Sequence, residues 1–302
     1  VKVRAQRTPD KICIQHKNIQ LSYHALHEAS DQLAHYLIAD CNINPGDYVA
    51  ICVDKSEWMI ISILAILKAG AAYVPMDPTY PRLRIQSIIQ NCGCRHMIVD
   101  QQISLENNIS LIDLRQLQLD NSGQGELNIH ITSDHPAYII HTSGSTGKAK
   151  GCLLTHRNVV RLIKNEQHDF DFHEQDVWIM AHSLCFDFSV WEIWGALLYG
   201  AKLIIPERTD TQDPALLLQL VKKHHVSILN QTPDAFYQFM EAEMQTDCHD
   251  LTNHLRYIIF GGAKLNPGRL KKWVHFYPLQ KIKLINMYGI TETTVHVTFY
   301  KL

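Results

Sequence analysis

The sequence predicts an α/β fold with largely parallel sheets, on the basis of three observations. Of its 302 residues, 46% are hydrophobic and 19% are charged, a composition typical of a globular protein long enough for one large or two medium domains. Short apolar segments alternate with amphipathic ones, as in β-α-β units. A polar stretch over residues 120–134 predicts a linker, so we expect two lobes, 1–133 and 134–302.

The first lobe shows this alternation clearly. Apolar residues recur at helical spacing at Leu26, Ala29, Leu33 and Leu37, which predicts a helix over 22–38. Gly70 would end the next apolar helix. The remaining predicted elements of this lobe are helices over 58–68 and 82–91 and strands over 48–53, 71–74 and 96–99.

The second lobe repeats the pattern, with short apolar strands between amphipathic helices. The predicted strands cover 137–141, 177–181, 202–205, 226–229, 255–260 and 283–286. The predicted helices cover 156–165, 190–198, 214–224, 233–243 and 267–274.

Composition and charge argue against several classes of function. The net charge is −2 with scattered basic residues, so we expect no nucleic-acid partner and no membrane-surface binding. No apolar run reaches the ~18 residues of a transmembrane helix, and the first residues lack a signal-peptide core. The eight cysteines show no framework spacing, which predicts reduced thiols and a cytoplasmic location. Cys92-Gly-Cys94 is too tight for a usual zinc site.

A Gly/Ser/Thr-rich loop follows the predicted strand over 137–141. It runs through Thr142, Ser143, Gly144, Ser145, Thr146, Gly147 and Lys148. Glycines allow close backbone approach, hydroxyls donate hydrogen bonds and the lysine adds charge, which suits a polyphosphate. The spacing is not that of a Walker A motif. A flexible surface loop is the alternative interpretation.

Two further segments carry chemistry. Asp187 lies among aromatic and apolar residues, where it could bind an ammonium group at a pocket wall or cap the following helix. Residues 286–294 follow a predicted strand, at the edge where open α/β sheets bind ligands. There Tyr288 offers a flat face for a base, Thr291 a hydroxyl and Glu292 an oxygen ligand for Mg²⁺. Taken alone, this second segment is a strand-to-loop turn with a capping threonine.

In this order the three segments closely resemble those of the adenylation domains of nonribosomal peptide synthetases, in the adenylate-forming superfamily. Further segments fit the same family: Leu21-Ser-Tyr23, residues 67–78, Asn230-Gln-Thr-Pro233 and Phe260-Gly-Gly-Ala263. The resemblance covers essentially the whole chain. It implies two βα lobes packed together as an N-terminal core, with an incomplete barrel-like third subdomain and no C-terminal subdomain.

The resemblance also implies a reaction. An amino-acid carboxylate attacks the α-phosphate of ATP in the presence of Mg²⁺, which gives an aminoacyl adenylate and pyrophosphate. The acyl group then passes to the phosphopantetheine thiol of a carrier protein. A carrier protein and a condensation domain are therefore expected in the parent polypeptide, which would make an antibiotic or siderophore peptide.

The family's functional residues carry over onto matching positions. The predicted catalytic residues are Thr291 at the α-phosphate, Glu292 at Mg²⁺, His182 near the substrate carboxylate, and Lys148. The predicted nucleotide-binding residues are Thr142 to Lys148, Tyr288 stacked on adenine, and Asn286, Gly262, Ala263, Gly289 and Thr291. Ala263 stands where the family usually has an acid.

Asp187 matches the residue that pairs with the substrate α-amino group. With it, the pocket positions are Phe188, Trp191, Asn230, Ile259, Gly261, Met287, Val295 and His296, a set that resembles the one associated with threonine. Asn230 and His296 could bond a β-hydroxyl, and serine would then be a weaker competitor. If Asn230 and His296 instead bond the backbone, 2-aminobutyrate or valine would fit equally well.

Other interpretations stay open. The chain lacks an initiator methionine and ends at Leu302, before the family's ribose-binding aspartate, hinge and catalytic lysine. We therefore expect a fragment that binds ligands but is catalytically impaired. A carboxylate–CoA or aryl-acid ligase and a non-catalytic nucleotide-binding module are the alternatives, and a P-loop kinase or ATPase is disfavoured by the loop spacing.

Overall fold

The computed structural model describes residues 1–105, 109–117, 127–142, 150–164 and 169–302. Its helices are α1 (Lys2–Arg7), α2 (Tyr23–Ala39), α3 (Glu57–Lys68), α4 (Arg82–Cys92), α5 (His156–Ile163), α6 (Phe188–Tyr199), α7 (Arg208–Gln212), α8 (Pro214–Lys223), α9 (Pro233–Met244) and α10 (Lys271–Phe276). Short 3-10 helices lie at Leu251–Asn253, Pro267–Leu270 and Thr291–Thr293.

The strands alternate with these helices along the chain. They are β1 (Ile12–His16), β2 (Ile19–Ser22), β3 (Tyr48–Cys52), β4 (Ala72–Pro75), β5 (His96–Val99), β6 (Ser110–Asp113), β7 (Pro136–Thr142), β8 (Lys150–Thr155), β9 (Val177–Ile179), β10 (Lys202–Ile204), β11 (Ile228–Gln231), β12 (Tyr257–Phe260), β13 (Lys283–Tyr288) and β14 (Thr298–Lys301).

The strands form two sheets. One has six strands in the order β6-β5-β3-β4-β7-β8, and the other has eight in the order β14-β13-β12-β11-β9-β10-β1-β2. The inner pairs are parallel, whereas β7–β8 and β13–β14 are antiparallel. The predicted α/β class with largely parallel sheets is confirmed, and the described residues form no closed barrel.

The chain forms two compact units. The first comprises Val1–Lys11, Leu21–Arg161 and Leu184–Phe186, and the second comprises Ile12–Gln20, Leu162–Ser183 and Asp187–Leu302. This partition differs from the predicted lobes, 1–133 and 134–302. The difference arises because β7 pairs with β4 in the first sheet, while β1 pairs with β10 in the second.

In the first unit, local sequence signals place the helices. The Ser22 hydroxyl accepts a hydrogen bond from the backbone N–H of Ala25 at 3.1 Å and caps α2, which satisfies one otherwise unpaired donor. Helix α3 is apolar on almost every face and is buried almost all round. Gly70 follows it with φ 78°, and a Cβ there would lie 3.0 Å from Pro45 Cβ, so glycine is required at this turn.

In the second unit, an aromatic core supports the strands that carry the site. Phe236 contacts the rings of Phe260 and Trp273 at centroid separations of 5.1 and 5.0 Å. On α6, Gly195 faces the Trp178 ring so closely that a Cβ would lie 2.4 Å from it. The missing side chain therefore lets α6 approach strand β9 closely.

No helix within the described ranges combines the length and apolarity needed to cross a membrane.

Candidate functional site

Three parallel strands of the second unit end at the same edge of the eight-stranded sheet. Gln231, Phe260 and Asn286 are register partners on β11, β12 and β13. The segments that leave these strands therefore start side by side, at the carboxyl edge where open α/β sheets bind ligands. Most of the predicted site residues lie on these segments or at the start of α6.

Asp187 is a buried carboxylate directly before α6, with 6% of its surface exposed. Burial raises its pKa, because the charged form loses hydration. Hydrogen bonds from the Thr291 hydroxyl and the Phe188 backbone N–H, and the nearby His182 ring, act in the opposite direction. The structure thus brings three of the predicted site residues together: Asp187, His182 and Thr291.

The alternative role of Asp187 as a side-chain helix cap does not match the geometry. The Asp187 carboxylate accepts a hydrogen bond from the backbone N–H of Phe188. Among the described residues, it accepts no capping hydrogen bond from the later N–H groups of the first turn of α6. Its backbone is already helical, with φ −63° and ψ −18°, whereas a capping residue is typically extended. The carboxylate instead lies in the cluster that contains Thr291.

Glu192 was not predicted from the sequence. It is fully buried on α6 and accepts hydrogen bonds from the backbone N–H groups of Ala181 and His182, both at 3.2 Å. A third bond joins its Oε1 to His182 Nδ1 at 2.8 Å. Because a carboxylate only accepts, Nδ1 carries the proton and the orientation of the ring is fixed. The available signal was a single acid inside an otherwise apolar helix.

The His182 ring also stacks on Phe188, with centroids 4.4 Å apart. Phe188 in turn contacts His296 edge-on at 4.8 Å, and Trp191 contacts His296 at 5.4 Å. These residues are nearly fully buried apart from His182. These rings therefore form one packed aromatic cluster that begins at the residue after Asp187.

A hydrogen bond across the pocket joins α6 to β11. Trp191 Nε1 donates to Asn230 Oδ1 at 3.0 Å. An indole nitrogen can only donate, so the carbonyl end of the Asn230 amide must face Trp191. The other end, Nδ2, is buried without a hydrogen-bond partner in the described structure.

Gly261, directly after β12, packs against the same aromatic rings. A Cβ at this position would lie 2.8 Å from His296 Cε1 and 3.1 Å from Phe188 Cε1, so any larger residue would force the rings apart. Ile259, two residues earlier, is the register partner of Asn230. The predicted pocket residues Phe188, Trp191 and Asn230 therefore lie in the same region of the second unit as Gly261, Ile259 and His296.

The remaining two pocket residues are Met287 and Val295, which are 2% and 4% exposed. Val295 has φ 63° and its neighbour Thr294 has φ 69°. This left-handed region is strained for β-branched residues. Gly289 lets its own backbone pass close to that of Val295, because a Cβ at position 289 would lie 2.2 Å from the Val295 carbonyl oxygen.

The predicted nucleotide-binding residues of the second unit are more exposed. Tyr288 is 65% exposed at the end of β13, and Gly262 has φ 78° in the turn after β12. Thr291 and Glu292 lie on the 3-10 helix that follows Gly289 and Ile290. Asn286 is part-buried and Ala263 is exposed. These positions are compatible with a ligand at the sheet edge, and their individual roles remain predictions.

The predicted phosphate loop begins at the end of β7. Thr142 is the last residue of β7, while Ser143, Gly144, Ser145, Thr146, Gly147 and Lys148 lie outside the described residues.

A scan against family models matches residues 1–302 to the AMP-binding enzyme family. The chain belongs to this family. It is 43% identical over 299 residues to a plipastatin synthase of Bacillus subtilis (strain 168), covering 97% of this chain and 11% of that protein. It is 38% identical over 300 residues to syringomycin synthase SyrB1 of Pseudomonas syringae pv. syringae, covering 98% of this chain and 48% of that protein.

Two solved structures share the fold of this chain. The Klebsiella oxytoca NpsA N-terminal subdomain in complex with 3-hydroxybenzoyl-AMSN is 28% identical, with a TM-score of 0.86, covering 100% of this chain and 74% of that one. The nonribosomal peptide synthetase FmoA3 has a TM-score of 0.91 at 23% identity, covering 100% of this chain and 32% of that one. The resemblance to the adenylation domains of nonribosomal peptide synthetases is confirmed.

The chain spans less than half the length of these curated synthetases. Within the described ranges, no group of three or more histidine, cysteine, aspartate or glutamate side chains has an arrangement that could hold a metal ion. Glu292 is exposed at the sheet edge. A single carboxylate suits Mg²⁺, which usually takes one or two protein oxygens together with water and substrate phosphates.

Proposed function

We propose that this chain activates an α-amino acid with ATP. One carboxylate oxygen of the amino acid forms a bond to the α-phosphorus, the bond to the bridging oxygen of the β-phosphate breaks, and pyrophosphate leaves. The products are an aminoacyl adenylate and pyrophosphate. The observation that carries this proposal is the buried Asp187 carboxylate, which lies directly before α6 and close to His182 and Thr291.

The substrate ammonium is the natural partner of Asp187. Burial disfavours the charged form of the Asp187 carboxylate, and an ammonium at hydrogen-bond distance would favour it again. A ligand ammonium would also compete for the carboxylate with the Thr291 hydroxyl, which now donates to it. Release of that hydroxyl would leave Thr291 able to donate to a phosphate oxygen, in agreement with its predicted role.

The other predicted roles fit general requirements of nucleotidyl transfer, which depends on alignment and on stabilisation of developing charge. Glu192 fixes the His182 ring beside Asp187, where it could contact the substrate carboxylate. Tyr288 would stack on adenine, and the loop from Thr142 to Lys148 would hold phosphates. Glu292 would hold Mg²⁺, which supplies charge neutralisation at the phosphates.

Threonine is the proposed amino acid. Asn230 directs its carbonyl to Trp191 and retains a buried N–H donor, which suits the β-hydroxyl oxygen of threonine. Phe188, Trp191 and the close approach at Gly261 restrict the pocket to a short side chain. A site built around a hydroxyl strongly disfavours substrates that lack it, whereas serine, which lacks a methyl, loses only about 1–3 kcal/mol.

The acyl group would then be loaded onto a phosphopantetheinyl carrier protein, with a condensation domain in the parent polypeptide. This extension rests on the synthetases that the chain resembles.

An aryl-acid ligase is the second candidate, because the NpsA subdomain is bound to a 3-hydroxybenzoyl ligand. The two candidates differ at Asp187, since an aryl acid has no ammonium to pair with a buried carboxylate. A non-catalytic nucleotide-binding module would have no reason to recognise the amino-acid side chain.

Calorimetric titration with non-hydrolysable threonyl, leucyl and salicyl adenylate mimics tests the proposal. Binding is the suitable readout, because a subdomain of this fold has been solved in complex with such an acyl ligand. Tight binding of the threonyl mimic alone is expected. Preference for the salicyl mimic would favour aryl-acid activation, and equal binding of all three would favour a nucleotide-binding module.

A further inference from the structure

A cluster of two cysteines and a histidine lies in the first unit. Cys92 is the last residue of α4, and Gly93 reverses the chain with φ 68°. Cys94 follows and is 6% exposed, with its backbone N–H bound to the Ile89 carbonyl at 3.1 Å. The two cysteines are therefore two residues apart, on either side of a left-handed glycine turn.

His141 on β7 approaches the same sulfur. Its Nε2 lies 3.6 Å from Cys92 Sγ. Its Nδ1 is buried without a hydrogen-bond partner in the described structure, so a proton there would be left unsatisfied. The proton therefore belongs on Nε2, which donates to the sulfur of Cys92.

Gly151 keeps the histidine in this position. It lies on β8, next to β7, and is the register partner of His141. A Cβ there would lie 3.3 Å from His141 Nε2 and 2.8 Å from Ile139 Cγ2. The contact between Cys92 and His141 thus depends on close packing of three elements, α4, β7 and β8.

The two thiols differ in ionisation. Interaction with the neighbouring Cys94 thiol lowers the pKa of Cys92 to about 5, against burial and with help from His141. Cys94 keeps its proton, because its interaction with Cys92 and its burial raise its pKa. Cys94 and His141 are the titratable groups that act on Cys92 within the described residues. Elsewhere, burial raises the pKa of Cys13 and of Cys52 to about 12.

We infer that Cys92 is a redox-sensitive modification site, oxidised by a peroxide and then resolved by Cys94 as a Cys92–Cys94 disulfide. The inference does not depend on the proposed ligase activity. Part-exposed Cys92 can meet a small oxidant, and buried Cys94 is held beside it as the second thiol.

The proposed oxidation of Cys92 and Cys94 takes place in two steps. The Cys92 thiolate attacks one peroxide oxygen, the O–O bond breaks, and a sulfenic acid and hydroxide form when the oxidant is hydrogen peroxide. The Cys94 sulfur then attacks the Cys92 sulfur, the S–O bond breaks, and the departing hydroxide takes the Cys94 proton as water. Two thiol sulfurs are oxidised by two electrons in total, and the peroxide is reduced to water and hydroxide.

The first test compares alkylation rates within one molecule. The reduced chain is treated with a small amount of iodoacetamide at pH 5.5, and each cysteine is quantified by peptide mass spectrometry. At that pH a thiol of pKa about 5 is roughly 800 times more ionised than an ordinary one of pKa about 8.5. Its lower intrinsic nucleophilicity offsets about 40-fold of this.

Cys92 is therefore expected to react about 20-fold faster than the exposed Cys248. Its rate should stay nearly flat from pH 6 to 8, while a rate limited by an ordinary thiol rises with pH. Equal rates at pH 5.5, or a Cys92 rate that climbs steadily to pH 8, would overturn the inference. Because both cysteines belong to the same wild-type molecule, a folding defect cannot produce the result.

The second test follows oxidation. Brief treatment with hydrogen peroxide should give a peptide spanning Cys92 and Cys94 that is lighter by two hydrogen atoms and is restored by a reductant. In Cys94→Ser the sulfenic acid should persist and be trapped by dimedone, and Cys52→Ser serves as a matched control that leaves the disulfide unchanged. A disulfide between other cysteines, or no change at Cys92 when other thiols are oxidised, would refute the pairing.

Discussion

Replacing Asp187 with asparagine removes a negative charge while keeping almost the same volume. The amide oxygen can still accept the hydrogen bonds that the Thr291 hydroxyl and the Phe188 backbone N–H now donate. The amide cannot form an ion pair with a substrate ammonium. The substitution therefore isolates the charge interaction on which the proposed amino-acid activation depends.

The burial of Asp187 sets the expected magnitude. With 6% of its surface exposed, a charge pair formed there is shielded from water. Removing one partner of a buried, hydrogen-bonded pair costs about 2–5 kcal/mol, or roughly 30- to 5,000-fold in affinity. We expect a loss in this range for the threonyl adenylate mimic, measured by calorimetry.

A second ligand makes the test more specific. A mimic with a hydroxyl in place of the α-ammonium should bind the wild type weakly. Its affinity for Asp187→Asn should be nearly the same as its affinity for the wild type. The same substitution at the exposed Asp234 is the control and should leave both ligands unaffected. Equal losses for both ligands in Asp187→Asn would refute the ammonium pairing, because the effect would then be structural.

The same variant should be more stable than the wild type at neutral pH. Burial raises the folded-state pKa of Asp187 above the ordinary aspartate value of 3.8, so the folded state binds more protons between these two values. Wild-type stability therefore falls as pH rises through this window. The advantage of Asp187→Asn in thermal unfolding should be present at pH 7 and should disappear below pH 3.8, and an advantage that persists at low pH would contradict the assignment.

Three further substitutions test the pocket. Asn230→Leu should weaken the threonyl mimic by about 1–3 kcal/mol, or 5- to 150-fold, relative to the 2-aminobutyryl mimic in calorimetry, and equal losses would argue against hydroxyl recognition. Glu192→Gln should lower the free energy of urea unfolding by about 2–4 kcal/mol, because three donors, including His182 Nδ1, lose their buried carboxylate; a change below about 0.5 kcal/mol would refute this. Gly261→Ala should shift preference from the threonyl to the glycyl mimic by about tenfold, since its methyl would lie 2.8 Å from His296, and an unchanged ratio would place Gly261 outside the pocket.

Sequence patterns predicted the helices well where apolar residues recur at helical spacing within one helix. The helices predicted over 22–38 and 82–91 are observed as Tyr23–Ala39 and Arg82–Cys92. Periodic burial is a local signal, which explains this agreement. The helix predicted over 267–274 instead begins with a 3-10 turn, Pro267–Leu270, before α10.

Several of the missed elements are strands whose pairing is not encoded locally. β8 and β14 are edge strands with mixed polar and apolar residues, so neither strict alternation nor an apolar run indicated them. β1 and β2 were also missed, although a tight turn with Lys17 at φ 51° joins them. The pairing of β1 with β10, far along the chain, and that of β7 with β4 account for the division into units.

Contacts between residues far apart in the sequence were also not predictable in the candidate site. Asp187 was found as an isolated acid among aromatic residues, and the resemblance supplied its companions. The hydrogen bond from Trp191 to Asn230 crosses 39 residues of sequence, and no local pattern predicts it. Glu192 was overlooked because an acid on a helix is usually solvated, whereas here it is fully buried.

The left-handed backbone at Val295 has a consequence for attempts to redesign the pocket. Libraries that vary specificity usually exchange one apolar side chain for another, but at φ 63° isoleucine and threonine keep the steric strain of valine. Glycine and asparagine tolerate this conformation and relieve an energy of about 1–3 kcal/mol. A useful library should therefore favour these two residues at position 295 and place its bulky apolar variation at Met287, which lies on a regular strand.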